Sequence, residues 1–197
     1  EAIAMAVSKI KAGMGQIYMA GGTESMSLIP MTGYKLSPSY KANQENLNYH
    51  VSMGATAEAV AEKFNISRES ADTFSLDSHK KAANAIDQGY FEDEIVPITV
   101  EDVYVKDGKK VSSSHIVSVD EGVRRDTTFE DLSKLTAVFK KGGIITAGNS
   151  SQTSDGAAFT LVMSEEKVKE LGLEPQARMA ACSVGGVDPL HMGIGPC

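Results

Sequence analysis

Cysteine is scarce. Cys182 and Cys197 are the only two in 197 residues, too few for a disulfide framework in a chain of this length. A reducing compartment, and with it a cytoplasmic location, is the expectation. Long apolar runs are also missing, since no stretch approaches the ~20 residues that span a bilayer. The opening Glu1-Ala-Ile-Ala-Met-Ala-Val7 has neither the basic start nor the cleavage pattern of a secretory signal. Positive charge is outnumbered, with 19 Lys and Arg against 26 Asp and Glu and a net charge of -7. A dedicated nucleic-acid binder would carry a basic face, so that class is set aside. A small anionic ligand stays possible, held by one or two local cations and by backbone N–H groups.

Several chemical signatures are absent too. There is no Cys-x-x-Cys and no His-Glu-x-x-His, and His50, His79, His115 and His191 have no ligand spacing. His79 reads as part of a polar helix, His115 as part of a strand, and His50 and His191 as loop residues. No metal and no cofactor is therefore expected. A Gly-x-Ser-x-Gly elbow and a phosphate loop ending in Gly-Lys-Ser are missing, which removes the commonest hydrolase and NTPase readings. No internal repeat is visible.

What is present suits an α/β protein. Apolar residues make up 42% and charged ones 23%, enough for a core and with no tract polar enough to stay disordered. Residues 1–12 read as a helix apolar on all sides, hence buried, with Gly13 as its C-cap. Ile17-Tyr-Met-Ala20 followed by Gly21-Gly22 reads as a buried strand ending in glycines that would let a ligand approach. The polar, irregular stretch from Thr32 to Tyr49 leads to a helix over 54–64. A second helix starts at Ser67, its N-cap, with Glu69 in the first turn, and runs to Gln88-Gly89. Ile95 to Val105 alternates like a strand, Lys106-Asp-Gly-Lys109 signals a hairpin turn, and Val111 to Val119 returns. Ala157 to Met163 reads as a strand. Ser164-Glu-Glu166 starts a helix ending at Leu171-Gly172, and 177–187 reads as a further buried strand. Cys182 then belongs to the core as a small hydrophobe. Met5, Met19 and Met26 read as packing.

The stretch Gly142 to Ala158 is the most informative. Its glycines allow close backbone approach, and its Ser, Thr and Asn groups can satisfy amides or hydroxyls, although a polar interstrand loop would look the same. Thr146-Ala-Gly-Asn-Ser-Ser-Gln-Thr-Ser-Asp-Gly-Ala-Ala158 resembles a segment of the thiolases, the acetyl-CoA C-acyltransferases. Ala20-Gly-Gly-Thr-Glu-Ser-Met-Ser27, Met53-Gly-x-Thr-Ala-Glu58 with Ser67-Arg and Asp72-x-Phe, and Gly186-Val-Asp-Pro-x-x-Met-Gly-Ile-Gly-Pro196 resemble three more, in family order. Each segment is weak alone, but the ordered set is specific.

The resemblance implies a partial α-β-α-β-α layered fold. Residues 1–25 would end the N-terminal half, 26–153 would be an inserted α+β loop domain, 154–176 would finish that half, and 177–197 would open the C-terminal half. Both ends look cut through elements. The family nucleophile would fall just before Glu1, and the family's Gly-His-Pro histidine and second cysteine would fall beyond Cys197. No catalytic residue is assigned, and the chain alone is expected to be inactive. Its share would be the CoA side: Arg124 for the nucleotide, Phe139 and Ala147 as apolar walls, Ser151 for a pantetheine amide, and Met53 and Met192 near the acyl end. Without the resemblance, Arg124-Arg125 would pass equally well for a solvated surface pair.

The intact parent would cleave 3-ketoacyl-CoA with CoA to acetyl-CoA and a shortened acyl-CoA. Ser52 stands where biosynthetic members tend to carry His, which with Ser150-Ser-Gln152 resembles the degradative enzymes. A biosynthetic acetoacetyl-CoA thiolase and a non-catalytic CoA or lipid-carrier module are the alternatives. Partners would be CoA, acyl-CoA and further copies of the chain, as dimer or tetramer, and exposed apolar surface is expected to make the chain self-associate.

Overall fold

The computed structural model describes all 197 residues. In chain order the elements are α1 (Ala2–Lys11), β1 (Ile17–Ser25), α2 (Tyr40–Glu45), α3 (Met53–Lys63), α4 (Arg68–Asp87), β2 (Ile98–Lys106), β3 (Lys109–Val117), α5 (Phe129–Ser133), β4 (Asp155–Met163) and α6 (Glu165–Leu171). Short 3₁₀ segments cover Leu47–His50 and Pro189–Ile194. No helix is long and apolar enough to cross a membrane. The chain divides into two compact units, one of Glu1–Val51 with Gln152–Cys197, the other of Ser52–Ser151.

In the first unit β1 and β4 form an antiparallel pair, with Ile17 opposite Met163 and Ser25 opposite Asp155. Alternation of side chains gives the pair two faces. Tyr18 and Ala20 look toward α1, where Ala6 and Ala20 are buried and the Lys9 ammonium sits 5.7 Å from the Tyr18 ring centre. On the opposite face Ile17, Met19, Phe159 and Leu161 are exposed, Met19 by 71%. Gly21 is required here, because a side chain would run into the Ala158 carbonyl oxygen and the Phe159 ring of the facing strand. Beyond the end of β1, Asp155 accepts bonds from Ser25 Oγ (3.3 Å), Ser27 N–H (2.9 Å) and Ser27 Oγ. These contacts hold its carboxyl below the ordinary aspartate value, Ser27 Oγ contributing most.

Four sequence expectations are corrected in this unit. The helix at 1–12 forms but is largely exposed, because the chain offers it only one face of a two-stranded sheet. Residues 177–187 form no strand, since an isolated extended segment has no ladder partner for its backbone groups. Cys182 is consequently exposed rather than in the core. His50 and His191 lie in the 3₁₀ segments, with His191 Nδ1 3.3 Å from the Asp188 carboxylate.

The second unit is built from capped helices and a hairpin. Ser52, Ser67 and Thr128 each accept a backbone N–H of the first turn they precede, opening α3, α4 and α5. The β2–β3 hairpin turns on Asp107 (φ 52°) and Gly108 (φ 72°), the left-handed pair that a two-residue connection needs. Its compact span begins at Ser52 and ends at Ser151.

Surface area measures what this chain leaves uncovered. It exposes 15627 Å² at 20.9 kDa. Two separate globular units of half that mass would together expose about 11,000 Å². Large apolar side chains are among what is left exposed, including Ile17, Met19, Phe159 and Leu161 on the β1–β4 face.

Candidate functional site

The polar loop singled out in the sequence is held from below by two carboxylates. Glu58, on the buried side of α3 with Ala61, accepts the backbone N–H of Ile144 (3.0 Å) and of Ile145 (2.9 Å) with its two oxygens. Asp72, on α4 and without exposed surface, accepts Arg68 Nε (2.6 Å) and Asn149 Nδ2 (2.9 Å). Asn149 also donates to the Ile144 carbonyl (3.0 Å) and accepts the Thr146 N–H (2.8 Å). Thr146 is fully buried, its hydroxyl oxygen accepting the Gly148 N–H (3.1 Å) and its carbonyl accepting Ser150 Oγ (2.7 Å). Buried polar groups must find partners, and every one of these does.

The same guanidinium reaches further. Arg68 Nη2 donates to the Leu132 carbonyl (2.6 Å) and the Leu135 carbonyl (2.9 Å). Residues 132–135 and 144–150 are thereby tied to the first turn of α4. Val138 donates its N–H to the Ile145 carbonyl (3.0 Å), which brings the intervening strip back onto the loop.

Five of the six candidate residues lie on this unit. Ala147 and Ser151 are both exposed on the restrained loop. The Phe139 ring lies over Gly54, beside Met53 at the first position of α3, so tightly that a side chain at 54 would overlap it. Lys140 follows, paired with Glu62 at 2.7 Å. That hydrogen bond pulls the Glu62 carboxyl below its ordinary value and raises Lys140. Arg124 is exposed, and its backbone N–H donates to His79 Nδ1 (3.3 Å). Its neighbour Arg125 pairs with Asp87 at 2.8 Å, which lowers the Asp87 carboxyl and raises the arginine. The two arginines are therefore not a uniform surface pair: Arg125 is neutralised, and the Arg124 guanidinium has no partner. Met192 belongs to the other unit, in the segment Pro189–Ile194.

Neither Cys182 nor Cys197 is bonded to a base, and no group of His, Cys, Asp and Glu side chains is arranged to hold a metal. The shallow groove along Ser67, which caps α4, and Ser70, Thr73, Phe74 and Asp77 of α4 contains none of the candidate residues.

Sequence reasoning passed over Arg68, Asp72, Glu58, Asn149 and His79 as working parts. One signal was available for Glu58: it lies three residues before Ala61, within the apolar pattern of α3, where an acid needs a reason. The partners of Asp72 lie as far as residue 149, and no local pattern reports such a distance.

Residues 1–166 match the family model described as the thiolase N-terminal domain. A 3-ketoacyl-CoA thiolase of Bacillus subtilis (strain 168) is 46% identical over 197 residues, which is 100% of this chain and 50% of that protein. The crystal structure of the dimeric peroxisomal thiolase of Saccharomyces cerevisiae aligns with a TM-score of 0.81 at 37% identity, covering 99% of this chain and 48% of that one. Human mitochondrial 3-ketoacyl-CoA thiolase in complex with CoA aligns with a TM-score of 0.78 at 36% identity, over 98% of this chain and 49% of that one. The chain spans about half the length of the curated relatives it matches. The α/β architecture is accordingly a partial thiolase-like fold. With most of its length matched by the family model and its fold shared with solved members, the chain belongs to the thiolase family through its N-terminal domain.

Proposed function

We propose that this chain is part of an acyltransferase that cleaves 3-ketoacyl-CoA with CoA, yielding acetyl-CoA and a shortened acyl-CoA. In this reading the Ser52–Ser151 unit is the inserted loop domain and supplies the CoA-holding side. The observation that carries it is the unpartnered, exposed guanidinium of Arg124 on a chain of net charge -7. A planar guanidinium can stack on an adenine and fork onto a phosphate. Phe139 and Met53, brought together over Gly54, offer apolar surface to the pantetheine and acyl arms, and the Ser151 hydroxyl suits an amide. Met192 is assigned to the acyl end by the same reading.

The degradative direction is preferred because Ser52, rather than a histidine, precedes Met53 and caps α3. A role in fatty-acid β-oxidation in a reducing compartment such as the cytoplasm follows from that direction and from the two free thiols. A homo-oligomer is proposed as well, supported by the uncovered apolar face of β1 and β4 and by the dimeric state named for the yeast relative. The chain alone is expected to bind CoA without turning over 3-ketoacyl-CoA, because it pairs no thiol with a base.

Equilibrium dialysis with CoA tests the reading. Wild type should bind, and R124A should bind about 10-fold more weakly with unchanged unfolding, the loss of a charge-assisted contact. Equal affinity of the two proteins would remove Arg124 from the site. A thiolysis assay of the chain alone should give no product, and turnover would contradict the assignment of no catalytic residue.

A further inference from the structure

Glu58 and Asp72 touch no proposed ligand position, yet both carboxylates are directed at one loop. Burying a carboxylate is costly unless hydrogen bonds compensate it, and well-packed apolar residues often stabilise as much. What the carboxylates add is geometry. Glu58 fixes two consecutive peptide groups, Ile144 and Ile145, at 3.0 and 2.9 Å. Asp72 fixes Asn149 at 2.9 Å, and Asn149 in turn closes the turn onto Thr146 and Ile144. Between these two anchors Thr146 is driven fully inside while Ala147 is left exposed next to it. Gly143 is part of the device, since a side chain there would collide with the Glu58 carboxylate. Because α3 carries Met53 at its first position and Glu58 further along, the loop is registered against the same helix that presents the Met53–Phe139 surface.

We propose that Glu58 and Asp72 are positioning residues, which set residues 144–151 in the conformation that holds the pantetheine arm of CoA. The inference rests on the CoA-binding reading above. It assigns to these carboxylates an effect on the pantetheine arm that is separable from the nucleotide contact of Arg124.

Two variants of the full chain test it. In E58Q one carboxylate oxygen becomes an NH₂ group facing an N–H donor, so one of the two amides loses its acceptor. N149A removes the loop's side of the second anchor and leaves the Arg68–Asp72 pair within α4 and the Arg68 bonds to the Leu132 and Leu135 carbonyls in place, which keeps α4 joined to α5. Hydrogen exchange should be about 10-fold faster or more at residues 144–149 in both variants, with the interiors of α3 and α4 unchanged. Affinity for CoA should fall about 10-fold, the worth of a lost polar contact. Affinity for the phosphorylated ADP half of CoA alone should not change. Wild-type exchange rates at 144–149 in both variants would overturn the inference. So would an equal loss of both ligands, which would mark the carboxylates as merely structural. If wild type binds neither ligand, the CoA reading fails, and the exchange rates still decide whether these carboxylates set the loop.

Discussion

Of the eight buried residues, six (Thr56, Glu58, Ala61, Asp72, Leu132 and Thr146) belong to Ser52–Ser151, and only Ala6 and Ala20 to the unit built on β1 and β4. The contrast runs against composition. The β1–β4 unit carries the more apolar strands, yet Met19, Phe159 and Leu161 stay exposed because two strands have one covered face and one bare one. The other unit reaches burial with charged and polar groups, because Arg68, Asp72 and Asn149 satisfy one another while Glu58 satisfies two amides of the loop. Apolar residues make a core only where a second surface meets them. Buried polar groups hold a unit together only where every one is paired.

The comparison can be broken most severely at Asp72. D72A would take the carboxylate acceptor from Arg68 Nε and one of two acceptors from the Asn149 amide, and should cost about 3 kcal/mol, the low end for a broken buried pair. The low end applies because the Arg68 side chain is 26% exposed. Urea unfolding reads this. A cost within the range of an ordinary surface pair, below about 1 kcal/mol, would mean that the network is ornamental. Next in size is G54A. Alanine gains up to about 1 kcal/mol of helix propensity, but overlap with the Phe139 ring should cost about 1–3 kcal/mol and shift the ring off α3. Unchanged or raised stability would show that Phe139 is free to move away.

The β1–β4 unit is sharpened by a different measurement. Sedimentation velocity of the wild-type chain should show self-association, and M19K with L161K should shift it toward monomer by charging the bare face. A wild-type chain that sediments as a monodisperse monomer would contradict the account of that face. The smallest effect expected is at Asp155. Its carboxyl is held below the ordinary value of 3.8 by Ser27 and Ser25. A carboxyl with a lowered pKa stabilises the fold fully above its ordinary value, and loses that contribution as pH falls through the lowered one. The melting temperatures of wild type and D155N should therefore differ most near neutral pH and converge as pH drops below 3.8. A difference that persists at the lowest pH would show that the serines act on Asp155 regardless of its charge.

Much of the local structure was legible in the sequence. Ser67 and Ser164 are N-caps, Asp107-Gly108 makes the hairpin turn, and Gly172 ends α6 in the left-handed region, because caps and turns are decided by residues a few positions apart. The order of four motifs was enough to name the family. Burial was not legible. Residues 1–12 and 177–187 have the composition of buried elements, but burial depends on a partner surface that composition cannot supply. Cys182 followed 177–187 into the same error. The buried acids were hidden for the complementary reason, since Asp72 looks like any polar helix residue until Asn149, 77 positions on, is placed beside it. Among the candidate residues, the proximity of Met53 and Phe139 through Gly54 became visible only in the fold.

The most direct test is hydrogen exchange of the whole chain with and without saturating CoA, resolved by segment. The account predicts added protection around Arg124 and along 139–151, with β1 and β4 unchanged. Protection confined to β1 and β4, or none anywhere at saturating CoA, would contradict the claim that the Ser52–Ser151 unit is the CoA-holding side.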